Sequence, residues 1–205
     1  GFDGKAFVAE TPILQYEHGR NGYAAQTWSN APDKRRVQIS WMAGGRYPEM
    51  PFNQQLSIPV QLSLVGSGIA ARLKRWPVIE LDLLRVRTIS IPREMISKDR
   101  PMVADTDAKL LDVSFRVLRQ AAKGFYIVAR GHPIVFDWDA MTLSVETSGK
   151  SKITEDRPFI KLSETDRLEV RLVIDRTSIE VFLDGGSISA SFCFQVFGPP
   201  DSTTT

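Results

Sequence analysis

Short β-rich runs with period-two alternation, broken by Gly, Pro, Asn and Asp clusters, constrain this chain more than any other feature of its sequence. They predict strands over 6–8, 23–29, 36–42, 54–64, 111–117, 124–130, 134–137, 142–146, 168–174, 178–183 and 188–197. The gaps between them are too short for crossover helices, so the pattern specifies an all-β fold of twisted antiparallel sheets, not βαβ units. Runs 111–117 and 168–174 each offer one apolar face that needs a second sheet to cover it. Two sheets packed face to face are therefore expected from about residue 110 to 197, preceded by a separate β region. One stretch departs from the pattern. In 77–85, Val78, Ile79, Leu81, Leu83 and Leu84 are too densely apolar for a solvated linker, and Pro77 suits a helix's first turn. A short helix packed between two domains is expected there, which divides the chain into 1–76, a linker over 77–87, and 88–205.

Charge excludes some functions. With 26 basic and 24 acidic residues and a net charge of +2, no block of like charge tracks a phosphate backbone or an anionic membrane. Nucleic acid and membrane surfaces are not expected partners. One cysteine, Cys193, and two distant histidines, His18 and His132, give neither a disulfide framework nor a Cys/His zinc site within one chain, and no cofactor or metal is expected. Gly1 falls just before the strand-like stretch 2–8, a beginning that reads as the interior of a longer sequence.

Three separated motifs carry a resemblance. Tyr23-Ala24-Ala25-Gln26-Thr27-Trp28, Arg35-Arg36-Val37-Gln38-Ile39-Ser40-Trp41-Met42 and Asn53-Gln54-Gln55-Leu56-Ser57-Ile58-Pro59 stand in the order and spacing found late in the propeller of glycoside hydrolase family 32. Asp175-Arg176-Thr177-Ser178-Ile179-Glu180-Val181-Phe182-Leu183-Asp184-Gly185-Gly186 resembles the signature of that family's C-terminal β-sandwich. Phe2-Asp3-Gly4-Lys5-Ala6-Phe7 is similar to a strand turn of an earlier blade. The resemblance implies the end of a five-bladed β-propeller followed by a two-sheet sandwich. It also implies an extracellular or periplasmic protein related to invertases, levanases and inulinases, with fructan or sucrose as substrate and the upstream propeller of the same enzyme as partner.

Physical reading of the second motif gives architecture alone. Alternation places Ile174, Ile179, Val181 and Leu183 on an apolar face, an Asp-Arg-Thr-Ser turn joins two strands, and Asp184-Gly185-Gly186 supplies positive-φ positions. Arg176 and Glu180 are expected to pair across that hairpin. Strand aromatics such as Tyr23, Trp28 and Trp41 more often pack against neighbouring sheets than touch a ligand. The resemblance shifts this balance for two of them, because it maps Tyr23 and Trp41 to the rim of the sugar pocket. There a flat ring meets the C–H face of a fructosyl unit while its hydroxyl or indole N–H directs a polar bond.

The chemistry itself is missing. Glycoside hydrolysis needs two carboxyl groups, about 5 to 5.5 Å apart in a retaining enzyme. The family takes its nucleophile from a Trp-Met-Asn-Asp-Pro-Asn-Gly-like segment, a stabilising aspartate from Arg-Asp-Pro and its acid from Glu-Cys, and none of these occurs here. Asp99-Arg100-Pro101 and Asp156-Arg157-Pro158 have the wrong order, so no catalytic residue is expected in this chain. Asp137 and Asp139 flank Trp138 and share a strand face, and Asp105 and Asp107 have the same spacing. Solvated turn carboxylates are the commoner meaning of either pair. His132 reads as a turn histidine, and Cys193 lies inside or outside the sheet with nothing nearby to lower its pKa. Three functions compete: part of a fructosyl hydrolase; a non-catalytic module that grips fructan or mediates a homo-oligomer; and an independent lectin-like protein. The last would leave propeller strands with unpaired edges.

Overall fold

The computed structural model describes residues 1–47, 50–103, 106–145 and 166–194. Strands β1 (Gly22–Thr27), β2 (Arg36–Met42), β3 (Gln55–Leu56), β4 (Val60–Val65) and β5 (Arg72–Pro77) form one sheet in the order β1-β2-β4-β5, with β3 extending it beside β2. Every pairing in it is antiparallel. The register of β1 on β2 shifts between Tyr23 and Gln26, and Ala24 takes a φ of 44°. This bulge adds a residue to the edge strand and re-aims its side chains.

Seven further strands make the sandwich: β6 (Leu111–Leu118), β7 (Gly124–Ala129), β8 (His132–Asp137), β9 (Thr142–Val145), β10 (Arg167–Ile174), β11 (Ser178–Leu183) and β12 (Ile188–Cys193). They assemble as a four-stranded sheet, β12-β11-β10-β6, facing a three-stranded sheet, β7-β8-β9. Between them lies a continuous apolar core. Ile134, Phe136, Leu143 and Val145 from one sheet meet Leu168, Val170, Leu172, Ile179, Val181 and Leu183 from the other. The alternation expected of 168–174 and 178–183 is what delivers these side chains to one side. Phe125 stacks on Phe136 with ring centroids 4.3 Å apart, and Trp138 closes the end of the core.

The β1–β5 sheet packs against the outer face of β12-β11-β10. Hence β11 is buried at all six positions, with Ile179, Val181 and Leu183 in the sandwich core and Ser178, Glu180 and Phe182 turned to the first sheet. Two glycines permit the close approach. A Cβ on Gly186 (φ 88°) would lie 2.2 Å from the carbonyl oxygen of Arg75, and one on Gly19 would lie 2.1 Å from the amide of Ser191.

Several expected elements take other forms. Segment 77–85 is not an α-helix. β5 runs through Pro77, Val78 N–H donates to Pro59 O at 3.1 Å, and a six-residue 3-10 turn, Ile79–Leu84, follows. That turn is too short to sustain an α-helical nucleus, and Ile79, Leu83 and Leu84 are exposed. The run 54–64 divides into β3 and β4, because Pro59 has no N–H to give a ladder and Gln54 sits at a φ of 73°. Strand β5 is unforeseen: its Arg-Leu-Lys-Arg-Trp-Pro sequence hides a buried face that carries arginine. Residues 6–8 contribute one isolated bridge, Phe7 to Phe2, over an Asp3-capped turn. The ends of runs 142–146 and 188–197 lie outside the described residues, as do Asp105 and Asp156-Arg157-Pro158.

Candidate functional site

Tyr23 and Trp41 are direct cross-strand partners on β1 and β2, so their side chains leave the same face of the sheet. Their rings lie 6.1 Å apart at 59°, and both are exposed, Tyr23 at 65% and Trp41 at 36%. Beside them the bulge opens a depression of about 320 Å³ lined by Tyr16, Glu17, Tyr23, Gln38, Ser40 and Arg75. Tyr23 stands on its rim. Trp41 flanks Tyr23 and does not line the depression itself. The rings offer an apolar platform on one face of the sheet, while Gln38 and Ser40, alternating with Trp41 along β2, turn to the other face with Arg75, and no free acid and nucleophile pair stands beside the rings. Glu17, the carboxylate in the wall of the depression, is engaged by Arg75.

Arg75 organises the floor. Buried on β5, its guanidinium donates to Glu17, to Ser189 Oγ at 2.6 Å, to Gln38 Oε1 at 3.1 Å and to Ser40 Oγ at 3.4 Å. Glu17 also accepts from the amides of Gly19 and Ser191, each at 2.8 Å. The N-terminal segment is thereby laid along β12, where His18 N–H donates to Ser189 O and Asn21 N–H to Ser191 O. Burial pushes the His18 imidazole below its ordinary value.

The second carboxylate of this layer, Glu180, is buried where Glu17 is only partly so. It does not pair with Arg176 as expected; Arg176 is exposed at the hairpin turn, while Glu180 faces the first sheet. Odd and even positions of β11 point to opposite layers, and position 180 falls on the layer between modules. Its Oε1 accepts from Ile58 N–H at 2.8 Å and its Oε2 from Ser191 Oγ at 3.5 Å. Burial raises its pKa to about 8, against the pull of the Ile58 hydrogen bond and with a further push from Glu17. Nearby, Gln55 donates to Ser178 Oγ at 2.7 Å and accepts from Thr177 Oγ1 at 2.5 Å, fastening β3 to the β10–β11 turn.

The remaining candidates are structural. Asp137 Oδ1 accepts from the amides of Asp139 and Ala140 at 2.9 and 2.8 Å, closing a turn, and Asp139 pairs with Arg119 at 3.0 Å. Asp107 meets Arg87 at 3.5 Å on the surface. His132 opens β8 and packs on Phe194 with centroids 4.4 Å apart. Cys193 is half-buried at the end of β12, and burial pushes its thiol pKa up, as suits an unreactive side chain. Among the described residues, no three His, Cys, Asp or Glu side chains gather to hold a metal ion. Sequence reasoning missed Glu17 and Arg75. The signal available was an arginine inside an otherwise strand-like run, which is costly to bury and so implies a partner.

Residues 1–77 match the family model for the glycosyl hydrolases family 32 N-terminal domain. Over that stretch the chain is similar to glycoside hydrolase family 32. Over 90% of its length it is 29% identical to a levanase of Bacillus subtilis (strain 168), and it spans 31% of that protein. It is 23% identical over 89% of its length to the sucrose-6-phosphate hydrolase of Escherichia coli, of which it spans 38%. The structure of a β-fructofuranosidase from Schwanniomyces occidentalis complexed with fructosyl-erythritol superposes on 94% of this chain and 45% of its own, with a TM-score of 0.70 at 16% identity. The shared fold is all-β, propeller structure followed by a two-sheet β-sandwich.

Proposed function

We propose that this chain is the C-terminal part of a β-fructofuranosidase-type glycoside hydrolase that cleaves fructosyl linkages in sucrose, inulin or levan. In this reading residues 1–76 end the propeller, 77–87 link, and 88–205 form the sandwich. Tyr23 and Trp41 contribute to the sugar site of the whole enzyme, which works outside the cytoplasm. The carrying observation is the pair itself: two large aromatic rings held at the solvent by cross-strand register, beside a polar-walled depression. Two such rings at the surface have a low-cost use as a platform for the C–H face of a sugar.

The same reading assigns catalysis to carboxylates elsewhere in the enzyme. The two carboxylates of the joint are committed, Glu17 to Arg75 and Glu180 to the Ile58 amide. Neither is presented to the aromatic pair as a free acid. The purified chain should release no reducing sugar from sucrose, inulin or levan above background, since loss of a catalytic carboxylate removes orders of magnitude of rate. Supplying the upstream propeller on the same polypeptide should restore turnover. Hydrolysis by the 205-residue chain alone would overturn the reading. A fructan-binding module is the competing function, and the depression beside Tyr23 favours testing it by titrating levan and inulin into the chain calorimetrically. Saturable binding by a chain that also stays inert when joined to the propeller would support that second function.

A further inference from the structure

We propose that Glu180 is a pH-sensitive latch, holding the β1–β5 sheet on the sandwich while its carboxyl is protonated and loosening that joint when it ionises. The inference stands apart from the enzymatic reading, because it rests on how the two modules meet.

Around Glu180 the joint brings together the buried cation Arg75 and two carboxylates, Glu17 and Glu180 itself. Arg75 spends its guanidinium on Glu17, Ser189, Gln38 and Ser40, and Glu180 receives none of those donors. Ser191 Oγ bridges the two acids, lying 3.4 Å from Glu17 Oε2 and 3.5 Å from Glu180 Oε2. With Arg75 committed to Glu17, a second negative charge at the buried Glu180 has no ion-pair partner in contact among the described residues, and the more distant pull of Arg75 does not offset its burial. A protonated Glu180 removes that charge, still accepts from Ile58 N–H, and turns its hydroxyl to Ser191 Oγ as a donor. Both groups that touch it span the joint's layers: Ile58 belongs to the connector between β3 and β4, and Ser191 to β12.

Charged and titratable groups facing this carboxyl come from each packed element. Glu17 and its neighbour His18 come from the N-terminal segment, Arg75 from β5 and Cys193 from β12. Glu180's folded-state pKa, about 8, lies above its ordinary 4.5. The folded protein therefore holds a proton that the unfolded chain has released, and this contribution to stability is lost as pH rises from about 4.5 through about 8. His18 has the opposite sign: its lowered folded value costs stability as pH falls below about 6.5. Burial of Cys193 raises its thiol, so it adds a loss with the same sign as Glu180 nearer pH 9. Glu180→Gln separates these, since it removes the one titration and leaves His18 and Cys193 in place.

The test is the thermal midpoint of the chain measured from about pH 6.5 to 8.5, a window above the imidazole range, for the unmodified protein and Glu180→Gln. The expected result is a midpoint that falls by several degrees with rising pH in the unmodified protein and stays nearly level in the variant. Parallel slopes would overturn the proposal. Should the variant fail to fold, the Ile58 amide shift in the unmodified protein reports the same event by NMR. A titration midpoint well above 6 supports the latch, and one in the ordinary carboxylate range ends it.

Discussion

The sandwich interior and the joint between sandwich and propeller sheet are both built from buried side chains, yet they are held in opposite ways. Inside the sandwich, Phe136, Trp138, Leu172, Val181 and their neighbours pack with side chains of one chemical kind. On the other face of the same β11-β10 sheet, Glu17, Arg75, Gln38, Ser40, Ser189, Ser191 and Glu180 form a hydrogen-bonded layer, with Trp76 against Phe182 as an aromatic bracket. The apolar layer tolerates changes of side-chain shape that conserve its volume. The polar layer tolerates one, because each donor needs its acceptor and an orphan is expensive in low dielectric. One strand, β11, thus belongs to a core that gives stability and to a joint that gives specificity of docking.

Removing volume from the first layer should have the largest effect. Phe136→Ala deletes a fully buried ring stacked on Phe125, and a loss of about 3 to 5 kcal/mol is expected from lost transfer energy and the cavity left behind. Urea unfolding measures it. A loss under about 1 kcal/mol would show that the three-stranded sheet collapses onto its partner and that the contrast between layers is false.

In the joint, the expected effect is slightly smaller and depends on the partner. Arg75→Met removes a buried guanidinium and leaves the partly buried Glu17 without its cation, which should cost about 3 kcal/mol. Adding Glu17→Gln should recover part of that loss, since the stranded charge is what the single variant suffers from. A double variant that is simply the sum of its two singles would mean that Arg75 acts by packing alone.

How far the sequence discloses this contrast differs between the layers. The core face of β10 and β11 is legible because Leu168, Val170, Leu172 and Ile174, then Ile179, Val181 and Leu183, alternate in the period of a pleated strand. The joint is not, because Glu180 and Arg75 occupy the positions that the same rule assigns to solvent. A two-layer reading has no place for a third layer, so it gave Glu180 an exposed partner, Arg176. Exposure of Tyr23 was open for a related reason: alternation sets which residues share a face, and only the packing of further elements decides whether that face is covered.

At the edge of the joint, Arg171 is buried between Trp76, 5.5 Å from ring centroid to guanidinium, and the carboxylates Asp112 and Asp82 at 2.8 and 3.1 Å. Burial would raise the Asp112 pKa, but hydrogen bonds from Arg171 and Arg85 outweigh it and hold the carboxyl below its ordinary value. The stability this supplies is present above about pH 4 and is lost as pH falls through the depressed folded value. Arg171→Ala should cost about 2 kcal/mol, because Arg85 still pairs with Asp112 at 2.7 Å, and should move acid unfolding to higher pH. An unchanged acid midpoint would detach Asp112 from the joint's pH response.

The smallest stability effect is expected at the exposed aromatic pair, and it is the most informative about use. The Tyr23 and Trp41 rings have centroids 6.1 Å apart, and Tyr23 is 65% exposed while Trp41 is 36% exposed, so truncating Tyr23 removes one tilted ring contact and little buried area, and truncating Trp41 removes more. Tyr23→Ala should change unfolding free energy by less than about 1 kcal/mol and Trp41→Ala, the more covered ring, by about 1 kcal/mol. Under the proposed function, the same changes in the complete enzyme should lower kcat/KM by about 1 to 3 kcal/mol of transition-state binding. Glu180→Ala should do the reverse, lowering Tm while leaving kcat/KM nearly level, because its carboxyl contacts Ile58 and Ser191 within the joint. The two measurements together sort the pair from the joint. A Trp41→Ala enzyme that is kinetically silent but markedly unstable would make the rings packing surface for a neighbouring blade, and the sugar site would then have to be sought without them.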